Sequence, residues 1–238
     1  MITKVQRRIL TCAILGFLVL SVTAPSLGQV VLSDNLNAQW PGPYPYGVEG
    51  SIVDAKTWSA QEFATDNQEY SLNSVTLGFR SDQGISPIPT LELKIFSDVA
   101  GKPGNMIGEL TSPEMSSGVP EFGTFTAQGI DLAPSTTYWA VLDSPDSIQS
   151  WVSWDATDGL VGDGVGFSTN ECYSVDGGST WIVSAPPPTP NIMEVVATPV
   201  PEPGTFHLLA AFGGVTAAAW GRNSRSPACG RERARRVS

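Results

Sequence analysis

The chain has 238 residues, with 41% hydrophobic, 15% charged and 9% aromatic residues, 24 Gly and 19 Pro. Low charge and abundant Gly and Pro argue against a coiled coil, a large helical bundle or a disordered acidic tail. A formal charge of −10, from 13 Lys+Arg against 23 Asp+Glu, excludes a nucleic-acid binder built on a basic groove.

Residues 1–28 have the layout of a signal peptide. Lys4, Arg7 and Arg8 form a cationic start, Ile9 to Val22 an apolar run of 14 residues, and Ser26 and Gly28 stand at −3 and −1 of a cleavage before Gln29. An uncleaved anchor is the alternative, but the run is short for about 30 Å of hydrocarbon. Cys12 sits inside the apolar run, where it is a passive residue rather than a lipoprotein cysteine.

Residues 29–198 are the folded domain. They hold 21 acidic residues against four basic ones (Lys56, Arg80, Lys94 and Lys102), a balance of −17. Such a surface keeps an exported protein soluble and repels polyanions. The one histidine, His207, lies outside this stretch, which excludes Ser-His-Asp catalysis and histidine metal sites within it. Cys172 is its one cysteine, so no disulfide forms inside the domain, and the thiol is either buried and inert or a stray.

The periodicity is that of strands. Val75, Leu77 and Phe79 alternate with polar residues over 74–80, and Leu91, Leu93 and Ile95 do so over 90–95. Residues 137–142 are apolar on both sides, as a central strand would be. Further strands are predicted at 30–33, 59–64, 107–111, 122–127, 150–154, 165–173, 180–184 and 192–197. Turns fall at Gly101-Lys102-Pro103-Gly104, Ala133-Pro134-Ser135, Asp158-Gly159 and Asp176-Gly177-Gly178. No ten-residue helical period occurs. The expected fold is all-β, an antiparallel β-sandwich of jelly-roll type, flanked by the signal peptide and a C-terminal hydrophobic sorting helix.

Within the domain, Trp40, Tyr44 and Tyr46 stand on a Pro-rich loop. They would either stack on sugar rings, with Trp151 and Trp154 beside them, or pack over the end of the fold. Ser174 to Trp181, SVDGGSTW, fits the S-x-D-x-G-x-T-W pattern of an Asp-box. Asp176 would accept backbone N–H groups, Gly177 and Gly178 would allow positive φ, and Trp181 would pack beneath, so the expected role is a structural turn. Asp155, Asp158 and Asp163 lie in a Gly-containing acidic loop. Ca2+ is the ion such oxygens would hold, but the spacing is not that of an EF-hand, and no metal site or cofactor is assigned. Nothing in the spacing of the 21 carboxylates selects a hydrolytic pair.

Residues 199–204 form a Pro-rich linker. Residues 205–221 follow, a hydrophobic segment beginning TFHLLAAFGGVTAAAW, and then an arginine-rich tail at 222–238. Sixteen residues of helix reach about 24 Å, a marginal span. Arginines after it resist translocation, which leaves the tail cytoplasmic and the domain outside. An amphipathic soluble helix does not fit, since the segment has no charged face.

Val200-Pro201-Glu202-Pro203, the span and the basic tail together resemble the PEP-CTERM sorting signal of Gram-negative bacteria. The domain strings SLNSVTLGF (71–79), LELKIFSDVAGKPGNMIGEL (91–110), DLAPSTTYWAVL (131–142) and SVDGGSTW (174–181) resemble choice-anchor domains of type R. The resemblance implies signal peptidase and an exosortase as partners during export, transient residence in the inner membrane through 205–221, and delivery to the cell surface or to exopolysaccharide. It supplies no catalytic residues. The expected function is that of a structural, non-enzymatic surface or matrix protein. A carbohydrate-binding module using the exposed aromatics and a hydrolase are the alternatives.

Overall fold

The computed structural model describes residues 28–37, 48–81, 90–114, 121–145, 152–157, 161–184 and 189–201. The predicted signal peptide, the 205–221 segment and the arginine tail lie outside them, apart from Gly28. The chain divides after Pro199 into two units, Met1–Pro199 and Val200–Ser238.

The described part of the first unit is all-β. Its strands are β1 (Val30–Asp34), β2 (Val48–Val53), β3 (Trp58–Ala64), β4 (Tyr70–Ser81), β5 (Glu92–Asp98), β6 (Pro103–Leu110), β7 (Glu121–Thr126), β8 (Asp131–Leu132), β9 (Thr137–Asp143), β10 (Val152–Ala156), β11 (Phe167–Ser174), β12 (Ile182–Val183) and β13 (Met193–Pro199). They form two antiparallel sheets. The six-stranded sheet runs β12-β11-β3-β9-β5-β6. The seven-stranded sheet is built on the long β4, which pairs with β8 and β7 along one edge and with β13 and β10 along the other. Outside these, β1 pairs with β13 and β2 with β10.

β10 and β13 share one lane of the seven-stranded sheet. Trp154 lies opposite Phe79, and Met193 lies opposite Leu77. Between them, the Ile192 carbonyl accepts from Gly78 N (3.1 Å), and Ile192 N donates to the Asp155 carbonyl (2.7 Å). One strand therefore leaves the lane as the other enters it. Gly78 marks the spot: a Cβ there would meet Ile192 Cγ2 at 2.9 Å, so close approach requires glycine.

The alternation in the sequence explains the core. Val75, Leu77 and Phe79 of β4, Leu93 and Ile95 of β5, Ala140 and Leu142 of β9, and Val195 and Ala197 of β13 belong to one buried cluster drawing on both sheets. A second, smaller cluster of Ala60, Trp139, Val141 and Cys172 lies on the alternate residues of β3, β9 and β11, packed by Trp58, Phe96 and Trp181. β9 feeds both clusters, which accounts for its apolar character on both sides.

The strands depart from the sequence expectation in several places. β2 and β8 were not expected. β6 begins at Pro103 rather than 107, because the hairpin turns earlier, at Ala100 (φ 56°) and Gly101 (φ 75°). β13 runs through Pro199, which pairs with Tyr70, so the strand takes one residue from the expected linker.

Polar residues are also buried inside. Asn35 Nδ2 donates to the Asn191 carbonyl (3.0 Å), and Met193 N donates to Asn35 Oδ1 (2.6 Å). Asn191 N donates to Gln61 Oε1 (3.0 Å), while Gln61 Nε2 donates to the carbonyls of Ser168 and Asn170 (3.0 Å each). These side chains stitch the end of β1, β3, the irregular first half of β11 and the entry to β13 together, at places where ladder pairing alone would leave backbone groups unmet.

Candidate functional site

The Asp-box is the best-defined polar constellation among the described residues. Asp176 Oδ1 accepts from Thr180 N (2.8 Å) and from the Ser174 hydroxyl (2.8 Å), and Oδ2 accepts from the Thr180 hydroxyl (2.7 Å). Ser174 Oγ in turn accepts from Gly178 N (2.9 Å). Gly177 and Gly178 have φ of 69° and 78°, and a Cβ on Gly178 would run into the Trp58 ring. The Thr180 hydroxyl, then the Thr180 N–H and Ser174, hold the Asp176 carboxyl below its ordinary value. All of these bonds close the turn on itself. Trp181 leaves the turn to face Trp58, with ring centroids 6.4 Å apart and planes tilted by 58°.

Trp58 also faces a set of interactions missing from the sequence reading. Lys94 of β5 bonds both carboxylate oxygens of Asp143 on β9 (3.1 and 3.0 Å) and pairs with Glu92 (2.7 Å). Its Nζ lies 5.1 Å from the Trp58 ring centroid. Asp143 is only 2% exposed. Burial raises its pKa more than Lys94 lowers it, with Glu92 and Glu109 adding to the rise. Burial pushes Lys94 down, but Glu92 and Asp143 together outweigh it and hold the ammonium above its ordinary value. The register could have suggested the cluster, since Glu92 lies opposite Asp143 across the β5–β9 ladder.

Cys172 is buried, 1% exposed, with Sγ 3.8 Å from the Gly101 carbonyl. Burial pushes its thiol up to about 11, against a smaller downward pull from Lys102. The β5–β6 turn that covers it is tied to the Asp-box, because Lys102 Nζ donates to the Trp181 carbonyl (3.0 Å). A thiolate reagent at pH 8 should therefore modify Cys172 roughly a hundredfold more slowly in the folded protein than in denaturant. Equal rates would show that this cover does not protect the sulfur.

The other predicted residues are scattered. Trp40, Tyr44, Tyr46, Trp151, Asp158, Glu202 and Pro203 lie outside the described residues. Trp154, which one of the two alternatives set beside an aromatic sugar platform, is fully buried in the main core, with Nε1 donating to the Ile192 carbonyl (2.9 Å). It sits on the same face of β10 as Val152, and that face points inward. Asp155 is buried in β10, whereas Asp163 is exposed and pairs through its backbone with Asp34. Val200 is half-buried and Pro201 exposed.

Glu194, Asp34 and Asp163 occupy successive register positions across three adjoining segments. Burial, and then the Asp34 charge, raise the pKa of Glu194. Asp34 Oδ1 is engaged by Leu36 N (2.8 Å) and Asp163 Oδ1 by Gly164 N (2.7 Å). Among the described residues no group of three His, Cys, Asp or Glu side chains is arranged to hold a metal ion. No helix among them is long and apolar enough to cross a membrane. No protein-family model matches the chain, and no curated protein matches it.

Proposed function

We propose that the chain is an exported bacterial surface or exopolysaccharide-associated structural protein, sorted through its C-terminal segment by an exosortase and without catalytic activity of its own. The observation that carries this reading is the order Val200-Pro201-Glu202-Pro203, apolar segment, arginine cluster, on a chain that also begins like a signal peptide. The two antiparallel sheets and the core they share support a jelly-roll-like β-sandwich as the displayed domain. The polar constellations of that domain also support a structural role. The Asp-box bonds close a turn, and the Lys94 ammonium is shared between Glu92 and Asp143.

A proline fixes its own φ and disfavours helix at the residue before it, so a sequence with two prolines favours the extended form in which an enzyme takes up a peptide bond. Replacing Pro201-Glu202-Pro203 by three alanines should leave full-length precursor in the inner membrane, while deleting 200–238 should release folded domain. The check is the mass of surface-extracted protein. If the wild-type surface form still contains Trp220 and the arginines, the segment is a plain anchor and the sorting reading fails.

A further inference from the structure

The last strand of the domain is an interior strand. β13 is flanked by β4, from Met193 opposite Leu77 to Pro199 opposite Tyr70, and by β1, from Glu194 opposite Asp34 to Ala197 opposite Val30. Met193, Val195 and Ala197 are in the main core. Among the described strands, β1 pairs with β13 alone. The first and last strands of the domain therefore complete each other, and the seven-stranded sheet has a missing lane until the chain has been delivered through Pro199.

The motif starts where that strand stops. Val200 follows Pro199 directly, and Pro201 is already exposed. The six steps from Pro199 to Thr205 span at most about 20 Å when fully extended. An enzyme that draws substrate into extended form can take Val200 and later residues from the folded domain. To take Pro199 or anything before it, the enzyme must unpair β13 from both neighbours and pull apolar side chains out of the core.

We infer that docking of β13 sets the upstream limit of C-terminal processing. In the folded domain no bond before Pro199–Val200 is cut, and a chain whose β13 has not docked has no such limit. The step is amide hydrolysis: water adds to the carbonyl carbon, the new carboxylate stays on the domain, and the amine leaves with the apolar segment. The inference rests on the reading that the C-terminal segment is removed, and adds how far upstream the cut can fall.

The test uses the full chain in detergent with a broad-specificity protease, weighing the surviving fragment. The native protein should yield a persistent domain whose C-terminus falls within 199–204. Val195→Asp, which places a charge in the core from the middle of β13, should be cut within 189–199 at least tenfold faster. Because that variant can lose the whole fold, a second one carries eight Gly/Ser residues inserted between Pro199 and Val200. It should keep the native melting temperature and lose the entire insert, with the limit still at Pro199. A persistent native fragment ending before Met193, or survival of the insert, would overturn the inference. In cells, a mature C-terminus upstream of Pro199 would also overturn it. A mature form that keeps Trp220 defeats the sorting reading instead, and the limit measured with purified protein is then unaffected.

Discussion

Trp154→Ala should bring the domain close to unfolding, at a cost of about 3–5 kcal/mol for emptying a large buried aromatic site. Domains of this kind are stable by roughly 5–15 kcal/mol in total, so the urea midpoint should fall by about 1–2 M. The site explains the size of the effect. Trp154 is the last β10 residue paired with β4, and its indole N–H reaches the Ile192 carbonyl at the point where β13 takes over the lane. That carbonyl also accepts from Gly78 N, so the ring fastens the incoming strand to the outgoing one. Trp154→Phe keeps most of the apolar volume and drops the N–H, and should cost about 1–2 kcal/mol. An alanine variant within about 1 kcal/mol of wild type would mean that the lane is held by backbone pairing alone.

Lys94→Met is the second large effect. It strands Asp143, a carboxylate 2% exposed whose charge partner is Lys94, and breaking such a pair costs about 3–5 kcal/mol. The lower end applies, since Lys94 itself keeps 13% side-chain exposure. Adding Asp143→Leu should recover most of the loss, because two apolar residues leave no uncompensated charge. The pH dependence follows from the two shifts. Lys94 is raised above 10.5, so its contribution is fully present below that pH and is lost as pH rises through the raised value. Asp143 is raised above 3.8, so the folded state binds its proton first and this group favours folding more as pH falls into that range. Without Lys94 the downward pull on Asp143 is gone, and the deficit of Lys94→Met should shrink between pH 8 and pH 5. A deficit constant with pH would show that Asp143 is not the stranded charge.

The ease of reading this fold from its sequence depended on how local each signal was. β5 announced itself because one face meets the main core, which alternation records directly, and β9 because both its faces are buried, which a continuous apolar run records. β2 did not: VEGSIV places glutamate and glycine in the strand, which exists because β10 offers it an edge. The start of β6 was hidden by turn residues, of which Gly101 and Lys102 belong to the reversal while Pro103 and Gly104 are already in the strand. The Asp-box was legible because its bonds connect residues two to four apart in sequence. The interior amides were not, since Asn35 and Asn191 meet from opposite ends of the domain. Trp154 was misplaced by reading it with its aromatic neighbours in sequence rather than with Val152 on the same face of the strand.

The pairing of first and last strands also has a mechanical consequence. A domain held to a surface through Val200 receives tension at the end of β13, and a pull along the strand is the case that loads it most evenly. β13 has hydrogen-bonded neighbours on both sides, so that pull loads the β1 and β4 ladders in shear rather than opening them one bond at a time. Gln29, the expected first residue after cleavage, emerges beside the same end, since Val30 lies opposite Ala197. If the domain is displayed as proposed, drag on it meets resistance from many bonds at once. The lifetime of the fold under flow is then governed by the rate at which a central strand slides out, and the weakness of a lone edge strand never enters.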